Sequence, residues 1–349
     1  MTPKERVRAA MSRKKPDRLP CAVSFNTETK GGPLNLEGIS AKQKIMNYLN
    51  VDDYEKVLRR LGIDVRVLAP RSPEPDPDKT WLKFLEQVRL AQTVEDLRQM
   101  RWPTWNLLWD CRYLREDMQH ILDMDQHYAI QITGPCLFEM VRTWRDFSQL
   151  LTDWLTDPEF IVTLFEIAYQ LYMPLYEAFA QELGSRTGEI DYIYAGGDFG
   201  MQDRPLIDPK LFERDYESFV RREVIALKKL FPNAFFEFHC CGSAAPFLPS
   251  LVRAGVEVLH PVQPGCAGMK FENLKADWGN RLAFRGGVDA QGTLAQGTVE
   301  DVRQWVLYAF RTLGKDGGYI IAPHGIMPEV PVENVLKLFD TVQTECWYL

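Results

Sequence analysis

The sequence has no apolar run that approaches the ~18 residues needed to cross a bilayer, so we expect no membrane segment. It contains no P-loop and no GxGxxG motif, which leaves nucleotide binding unsupported. Basic residues are not in excess: 41 Lys and Arg against 48 Asp and Glu give a net charge of −7, which disfavours nucleic acid as a partner. There is no recognisable signal peptide, and seven cysteines, two of them adjacent, are typical of free thiols. We therefore expect a cytoplasmic protein.

The 349 residues, 46% of them hydrophobic, contain a series of short apolar runs bounded by turn residues. Each run is rich in β-branched or aromatic residues and has the length of a buried parallel strand. The eight runs span residues 19–25, 64–70, 128–133, 192–195, 234–239, 256–260, 282–285 and 319–322. Helical patterns separate them, over residues 40–49, 51–61, 147–183, 208–230, 244–254, 271–278, 298–313 and 332–348. The alternation predicts an α/β fold, a (β/α)8 TIM-type barrel with N-terminal helices, forming one domain over residues 1–349.

One connection is unusually long. Residues 71–127 separate the second and third predicted strands and begin with a proline-rich stretch. Long inserts after a barrel strand often form a lid, so we expect this insert to cap the active face. Its tryptophans, Trp102, Trp105 and Trp109, could wall a flat apolar ligand.

Active residues of such barrels follow the C-terminal ends of the strands. The sharpest candidate is the run over residues 238–243, where strand alternation sends His239 and Cys241 to the same side. An imidazole and a thiolate placed together suit zinc, for which His324 is the best third ligand. Weaker third candidates are Glu139, Cys266 and Asp198. Alternatively, the cysteines are small buried hydrophobic residues and His239 bonds to a core carbonyl.

Two glycine-containing loops also follow predicted strands. Because glycine allows close approach of the backbone to a ligand, Gly196, Gly197, Gly286 and Gly287 are candidate cofactor-binding residues. The candidate catalytic residues are Asp198, Glu139, Gln263 and Asp289. Asp198 could instead only structure its loop, and Asp289 could only cap the next helix. Position at a strand end adds Asn26, Glu28, Arg71 and Gln131.

Taken with the segments 2–7, 15–20, 93–97, 132–135, 261–264 and 319–324, these motifs resemble the uroporphyrinogen decarboxylase superfamily. The resemblance is greatest to its branch of corrinoid-dependent methyltransferases and O-demethylase components. It implies a TIM-type barrel that transfers a methyl group between a small donor or acceptor and a corrinoid on a partner protein. That branch holds one zinc through a His-x-Cys pair, matched by His239 and Cys241, and a later Cys. Here His324 stands near the place of the later Cys, and we expect it to substitute.

Two other functions stay open from the sequence. One is a metal-free decarboxylase of a tetrapyrrole or small carboxylate that uses Asp198, with Arg71, Arg204 and Arg285 as the obvious arginines at the mouth. The decarboxylase's arginine-rich N-terminal motif has no counterpart over residues 23–30, so haem-pathway decarboxylation is not expected. The other is a corrinoid- or tetrapyrrole-binding protein without catalytic turnover.

Overall fold

A computed structural model of the protein describes residues 1–23 and 40–348. The predicted strand-end residues Asn26 and Glu28 lie outside the described residues, as does nearly all of the arginine-free segment. The N-terminal helix α1 (Pro3–Met11) has Pro3 in its first turn and a capping box formed by Thr2 and Glu5. It is followed by α2 (Ala41–Leu49) and α3 (Tyr54–Arg60).

The core of the fold is one parallel sheet of seven strands in sequential order. The strands are β1 (Val65–Leu68), β2 (Ala129–Thr133), β3 (Tyr192–Gly196), β4 (Phe235–His239), β5 (Val258–Val262), β6 (Ala283–Val288) and β7 (Tyr319–Pro323). Nearly every strand residue is buried, as expected for parallel strands covered by helices. The sheet curls, and its C-terminal strand ends meet at one face. Seven of the eight predicted strands are thereby confirmed.

The first predicted strand, residues 19–25, is the exception. Its described part makes a single bridge, from Cys21 to Ile321 of β7. The Ala22 amide donates to the Ile321 carbonyl, and the Cys21 carbonyl accepts from the amide of Asp64, next to β1. Pro20 has no N–H, and the Cys21 amide donates to the Asp64 carboxylate, so no regular ladder forms. The segment therefore lies between both edges of the sheet without being a regular strand.

The helices follow the predicted order with different boundaries. The single helix predicted over residues 147–183 is two, α8 (Phe147–Thr156) and α9 (Pro158–Leu183), because Asp157 caps the second and Pro158 starts it. The helix predicted over 208–230 is a short α10 (Pro209–Leu211), a π-helical turn (Phe212–Tyr216) and α11 (Glu217–Leu230). The remaining helices are α12 (Leu248–Ala254), α13 (Phe271–Trp278), α14 (Thr293–Gln296), α15 (Val299–Thr312) and α16 (Val332–Glu345). In the described ranges, no helix is both long and apolar enough to cross a bilayer.

The long insert between β1 and β2 forms α4 (Thr80–Leu90), α5 (Val94–Gln99) and α6 (Leu114–Leu122). These helices pack against α7 (Leu137–Trp144) and α9. Trp102 lies in an aromatic cluster, with its ring centroid 4.9 Å from that of Phe84 and 5.8 Å from that of Trp144. Its indole N–H donates to the Leu97 carbonyl at 3.0 Å. Trp102 therefore packs within the insert, and a ligand-binding role for the three tryptophans stays a prediction.

A buried acid between α9 and α11 gives the fold a testable pH dependence. Glu223 accepts a hydrogen bond from the Tyr172 hydroxyl, and burial raises the pKa of Glu223 to about 7. Since this pKa lies above that of the unfolded chain, the stability Glu223 contributes is lost as pH rises from ~4.5 to about 7. We expect the stability gained by Glu223→Gln to be ~2 kcal/mol larger at pH ~8 than at pH ~5.5. Urea unfolding measures this difference.

Glu217 on the same helix provides the matched control. Burial would raise the pKa of Glu217, but the hydrogen bond from Arg253 lowers it below its usual value. Glu217→Gln should therefore lose stability by a similar amount at both pH values, because Glu217 is ionised throughout that range. A Glu223→Gln variant with the same pH profile as the native protein would contradict the assignment.

Candidate metal centre

The candidate site lies where β4 ends. His239 is the last residue of β4, and Cys241 follows two residues later in a tight turn. Gly242 has φ +73°, a left-handed backbone conformation that favours glycine. A side chain at Gly196 would collide with the backbone of His239, so the loop after β3 packs directly on the end of β4. The Gly197 amide donates to the His239 carbonyl at 2.8 Å. Glycines therefore position the metal-ligand pair predicted from the sequence.

Three candidate ligand atoms converge at this point. The distance from Cys241 Sγ to His239 Nε2 is 3.3 Å, and the distance to His324 Nε2 is 2.8 Å. His324 follows directly on β7, and the ligand atoms of all three residues lie within 4.8 Å of one another. Within the described residues this is the one group of three or more His, Cys, Asp or Glu residues suited to hold a metal ion. The structure thus brings His239, Cys241 and His324 together.

Burial determines the protonation states of Cys241 and His324, and so what binding of a cation requires. Burial, and after it the charge of Asp198, raises the pKa of the Cys241 thiol well above its ordinary value. Burial, together with His239, lowers the pKa of His324 to about 4. At neutral pH His324 is therefore an uncharged imidazole with a free lone pair, and Cys241 is a thiol. A bound cation would favour the thiolate, and binding would release the thiol proton.

Two of the candidate catalytic carboxylates lie beside this group. Asp198 Oδ1 accepts the Cys241 amide at 2.9 Å and is 3.2 Å from His239 Nε2. Burial would raise the pKa of Asp198, but the hydrogen bond and charge of His239 hold it well below its usual range. Glu139 accepts the Asp198 amide at 3.0 Å and pairs with Arg142 at 2.5 Å. Burial raises the pKa of Glu139. Asp198 thus places negative charge next to the candidate metal ligands.

The other two candidate catalytic residues have different surroundings. Gln263 Oε1 accepts the Gly242 amide at 2.8 Å and so holds the turn that carries Cys241. Asp289 accepts hydrogen bonds from the amides of Gly292 and Thr293, at 3.0 and 2.9 Å. These contacts stabilise the turn that leads into α14, whose N-cap residue is Gly292. A catalytic role for either residue stays a prediction.

The second pair of candidate cofactor-binding glycines lies at the end of β6. The Gly286 carbonyl accepts from the Tyr319 hydroxyl at 2.9 Å, and the Gly287 carbonyl accepts from the Trp305 indole at 2.8 Å. These contacts join β6 to β7 and α15. Both glycines therefore have a packing role, and a cofactor-binding role for the four glycines stays a prediction.

The sequence leaves His260, which ends a predicted strand, open between lining the pocket and packing in the core. Its Nδ1 lies 2.9 Å from Nδ1 of His239, and the residue is only 2% exposed. The two histidines are register partners on β4 and β5. The signal was present, because both predicted strands end in histidine and adjacent parallel strands end at the same face.

Beneath the histidines, Glu237 and Arg285 form a buried ion pair with contacts of 2.7 and 2.5 Å. Arg285 is 1% exposed and fully engaged by this carboxylate. It is therefore a core residue below the site, and its expected place at the mouth of the barrel is corrected.

Comparison with known proteins agrees with this architecture. Residues 136–345 match the family model of uroporphyrinogen decarboxylase (URO-D). The match covers more than half of the chain, and the protein belongs to this family. The family resemblance inferred from the sequence motifs is thereby confirmed.

Individual relatives differ in how much of the chain they match. The uroporphyrinogen decarboxylase of Trichodesmium erythraeum (strain IMS101) is 28% identical over 138 residues. This stretch is 38% of the present chain and 37% of that relative's length. A methyltransferase from Methanosarcina mazei is similar in structure over 98% of both chains, with a TM-score of 0.66 and 15% identity. At this identity the similarity concerns the fold, which extends over the whole molecule.

Proposed function

We propose that the protein is a zinc-dependent methyltransferase that moves a methyl group between a small molecule and a corrinoid carried on a partner protein. The observation that carries this proposal is the convergence of His239 Nε2, Cys241 Sγ and His324 Nε2 at the C-terminal ends of β4 and β7. The full-length structural similarity to a methyltransferase supports it. In this proposal the bridging segment at Cys21 completes a (β/α)8 barrel, and the insert over residues 71–127 caps its mouth.

The chemistry of the donor set fits zinc. Zinc takes nitrogen and sulfur ligands, and a catalytic site has three protein ligands and one open position. Tetrahedral zinc separates a sulfur from a nitrogen ligand by ~3.6 Å, close to the 3.3 Å between Cys241 and His239. The 2.8 Å between Cys241 and His324 requires a modest outward movement of these side chains. When bound, zinc would supply a Lewis acid that polarises the ether oxygen or amine of a methyl donor, or lowers the pKa of an acceptor thiol.

The chain's own residues orient this donor set. The Asp198 carboxylate accepts a hydrogen bond from the Cys241 amide, and the Gln263 side-chain oxygen accepts one from the Gly242 amide. These bonds fix the backbone on both sides of the Cys241 side chain. The Glu139 carboxylate in turn accepts a hydrogen bond from the Asp198 amide. The carboxylate of Asp198 also attracts the cation that the three ligands would bind.

A metal-free decarboxylase is the second candidate, because the matched family and the T. erythraeum relative carry that name. Such an enzyme needs cationic groups at its mouth to bind substrate carboxylates. Arg285 is buried against Glu237, Arg71 pairs with Asp117 at 2.6 Å, and Arg204 lies beside Asp203. None of these three arginines is free of an acidic neighbour, which favours the methyltransferase.

The test compares the zinc-loaded protein with protein stripped by a chelator. In one direction the probes are cob(I)alamin with trimethylamine or 2-methoxyphenol as the methyl donor. In the other they are methylcobalamin with a simple thiol as the methyl acceptor. Cobalamin absorbance measures methyl transfer in both directions. We expect turnover of at least one probe that stops when zinc is removed and resumes when it is returned. Release of CO2 from uroporphyrinogen by the stripped protein, with no methyl transfer, would overturn the proposal.

A His324→Ala variant tests the third ligand. Loss of a direct ligand should cost more than the ~10–100-fold in metal affinity typical of residues behind the ligands. Competition with a chromophoric chelator measures that affinity. His127→Ala is the matched control, because His127 lies exposed in the insert and should leave zinc binding unchanged. Equal zinc affinity in the folded His324→Ala variant would contradict this assignment.

A further inference from the structure

The two ring nitrogens of His239 have different surroundings. Nε2 lies 3.3 Å from Cys241 Sγ and 3.2 Å from Asp198 Oδ1, on the side of the candidate metal centre. Nδ1 lies 2.9 Å from Nδ1 of His260. A hydrogen bond between two imidazole nitrogens contains one proton, so one ring donates and the other accepts.

The surroundings of His260 restrict what its ring can do. It is 2% exposed, its ring stacks with that of His324 at 6.4 Å, and the edge of Tyr194 lies against it at 5.8 Å. The charged groups below it are Glu237, 4.0 Å from its Nδ1, and Arg285. Glu237 is paired with Arg285 at 2.5 Å, so no free carboxylate stabilises a positive charge on the buried ring, and the ring is neutral. A neutral imidazole carries one N–H and one bare nitrogen.

With both rings neutral, two proton arrangements satisfy these contacts. In the first, His260 Nδ1–H donates to His239, and His239 Nε2–H points toward Asp198. In the second, His239 Nδ1–H donates to His260, so His239 Nε2 is bare and His260 carries its proton on Nε2. Only the second arrangement leaves a lone pair on His239 Nε2 for a metal ion. In this arrangement the proton of His260 lies on Nε2, a buried atom with no hydrogen-bond partner among the described residues. A buried N–H without a partner is costly, so this arrangement is disfavoured until a metal ion binds.

We propose that His260 is a positioning residue of the metal centre, which accepts the Nδ1 proton of His239 when His239 Nε2 binds a metal ion and packs against His324 at the same time. This inference rests on the metal site of the proposed function and adds a residue that lies behind one of its ligands. The protons balance within the pair. The shared proton passes from His260 to His239, the Nε2 proton of His239 leaves, and His260 Nε2 gains one. Partners of this kind fix ligand tautomers and raise ligand basicity.

The first arm of the test is the zinc affinity of the native protein and three variants at pH ~8, measured by chelator competition. His260→Leu removes the acceptor and should weaken zinc binding ~10–100-fold. His260→Asn places an amide oxygen near the position of Nδ1 and should recover most of that loss. His127→Leu, in the exposed insert, controls for the loss of a histidine. Thermal unfolding, monitored by circular dichroism, establishes that each variant is folded.

The second arm is ¹⁵N NMR of histidine-labelled native protein with and without zinc. In the zinc form we expect a protonated Nδ1 on His239, and a bare Nδ1 and protonated Nε2 on His260. The five histidines make the spectrum tractable, and His260→Asn assigns the His260 signals. This arm decides the question even if His260→Leu does not fold.

The outcomes separate the two proposals. If the native protein binds zinc and folded His260→Leu binds it equally well, the role of His260 is overturned while the metal site stands. The same holds if the zinc form carries its proton on His260 Nδ1. If the native protein binds no zinc, the proposed function fails, and the role of His260 fails with it.

Discussion

Replacing Cys241 by serine is expected to lower the zinc content from about one ion per chain to less than ~0.1, in a protein that stays folded. Serine keeps the size of the side chain but supplies a hydroxyl, which is a poor zinc ligand at neutral pH. Methyl transfer to or from cobalamin should fall by at least ~100-fold, because loss of a direct ligand exceeds the cost of losing a residue behind it. Metal analysis and cobalamin absorbance measure the two effects.

The adjacent cysteine is the matched control for this experiment. Cys240 is 0% exposed in the hydrophobic core, on the opposite side of the chain from Cys241. Cys240→Ala should keep its zinc and lose ~1 kcal/mol of stability through the small cavity it creates. If Cys241→Ser retained stoichiometric zinc and full activity, the thiolate would not be a ligand.

The largest effect on stability is expected at the ion pair beneath the site. Glu237 and Arg285 have side chains 0% and 2% exposed, so either charge would be buried alone if its partner were removed. Glu237→Leu or Arg285→Met should each cost ~3–5 kcal/mol in the free energy of unfolding. The double variant should recover most of this loss, since no unpaired charge is left. Urea unfolding of the four proteins forms the double-mutant cycle.

A different outcome of that cycle would mean that water reaches the interior of the curled sheet. If each single substitution lowered the free energy of unfolding by less than ~1 kcal/mol, water would have to solvate the remaining charge. The space around Glu237 and Arg285, below His260, would then contain water. The zinc content of the double variant adds a further check. Because the pair lies below the ligands, we expect the double variant to keep its zinc.

Much of the scaffold could be predicted from local sequence. The run that forms β7 is short, continuous and apolar, and the run that forms β4 is apolar before its final His239 except for Glu237; such runs are typical of strands buried on both faces. Alternation at the end of β4 predicts that His239 and Cys241 lie on the same side of the chain. The position of His324 directly after the last strand then marked it as the third candidate ligand. The strands and the proximity of the three side chains could be predicted because they depend on local periodicity and on the common direction of parallel strands, whereas the ligand roles stay predictions.

Other features depend on contacts between distant segments. Cys21 does not belong to a regular strand because its amide donates to the Asp64 side chain, which sequence patterns do not indicate. Pairing of His260 with His239 follows from the register of β4 on β5, which no single strand reveals. Burial of Arg285 follows from the position of Glu237 on a strand two places away in the sheet.

Membership of the uroporphyrinogen decarboxylase family does not by itself choose between decarboxylation and methyl transfer. The distinction in this chain depends on whether His239, Cys241 and His324 act as ligands or as hydrogen-bonded side chains. The donor types, their convergence and the adjacent Asp198 carboxylate all favour a cation.

X-ray absorption at the zinc edge of the zinc-loaded protein tests this claim most directly. Our account predicts one sulfur at ~2.3 Å and two imidazole nitrogens at ~2.0 Å, together with one further light atom in the open position. A shell that contained no sulfur, or only one imidazole, would contradict the assignment of the three ligands.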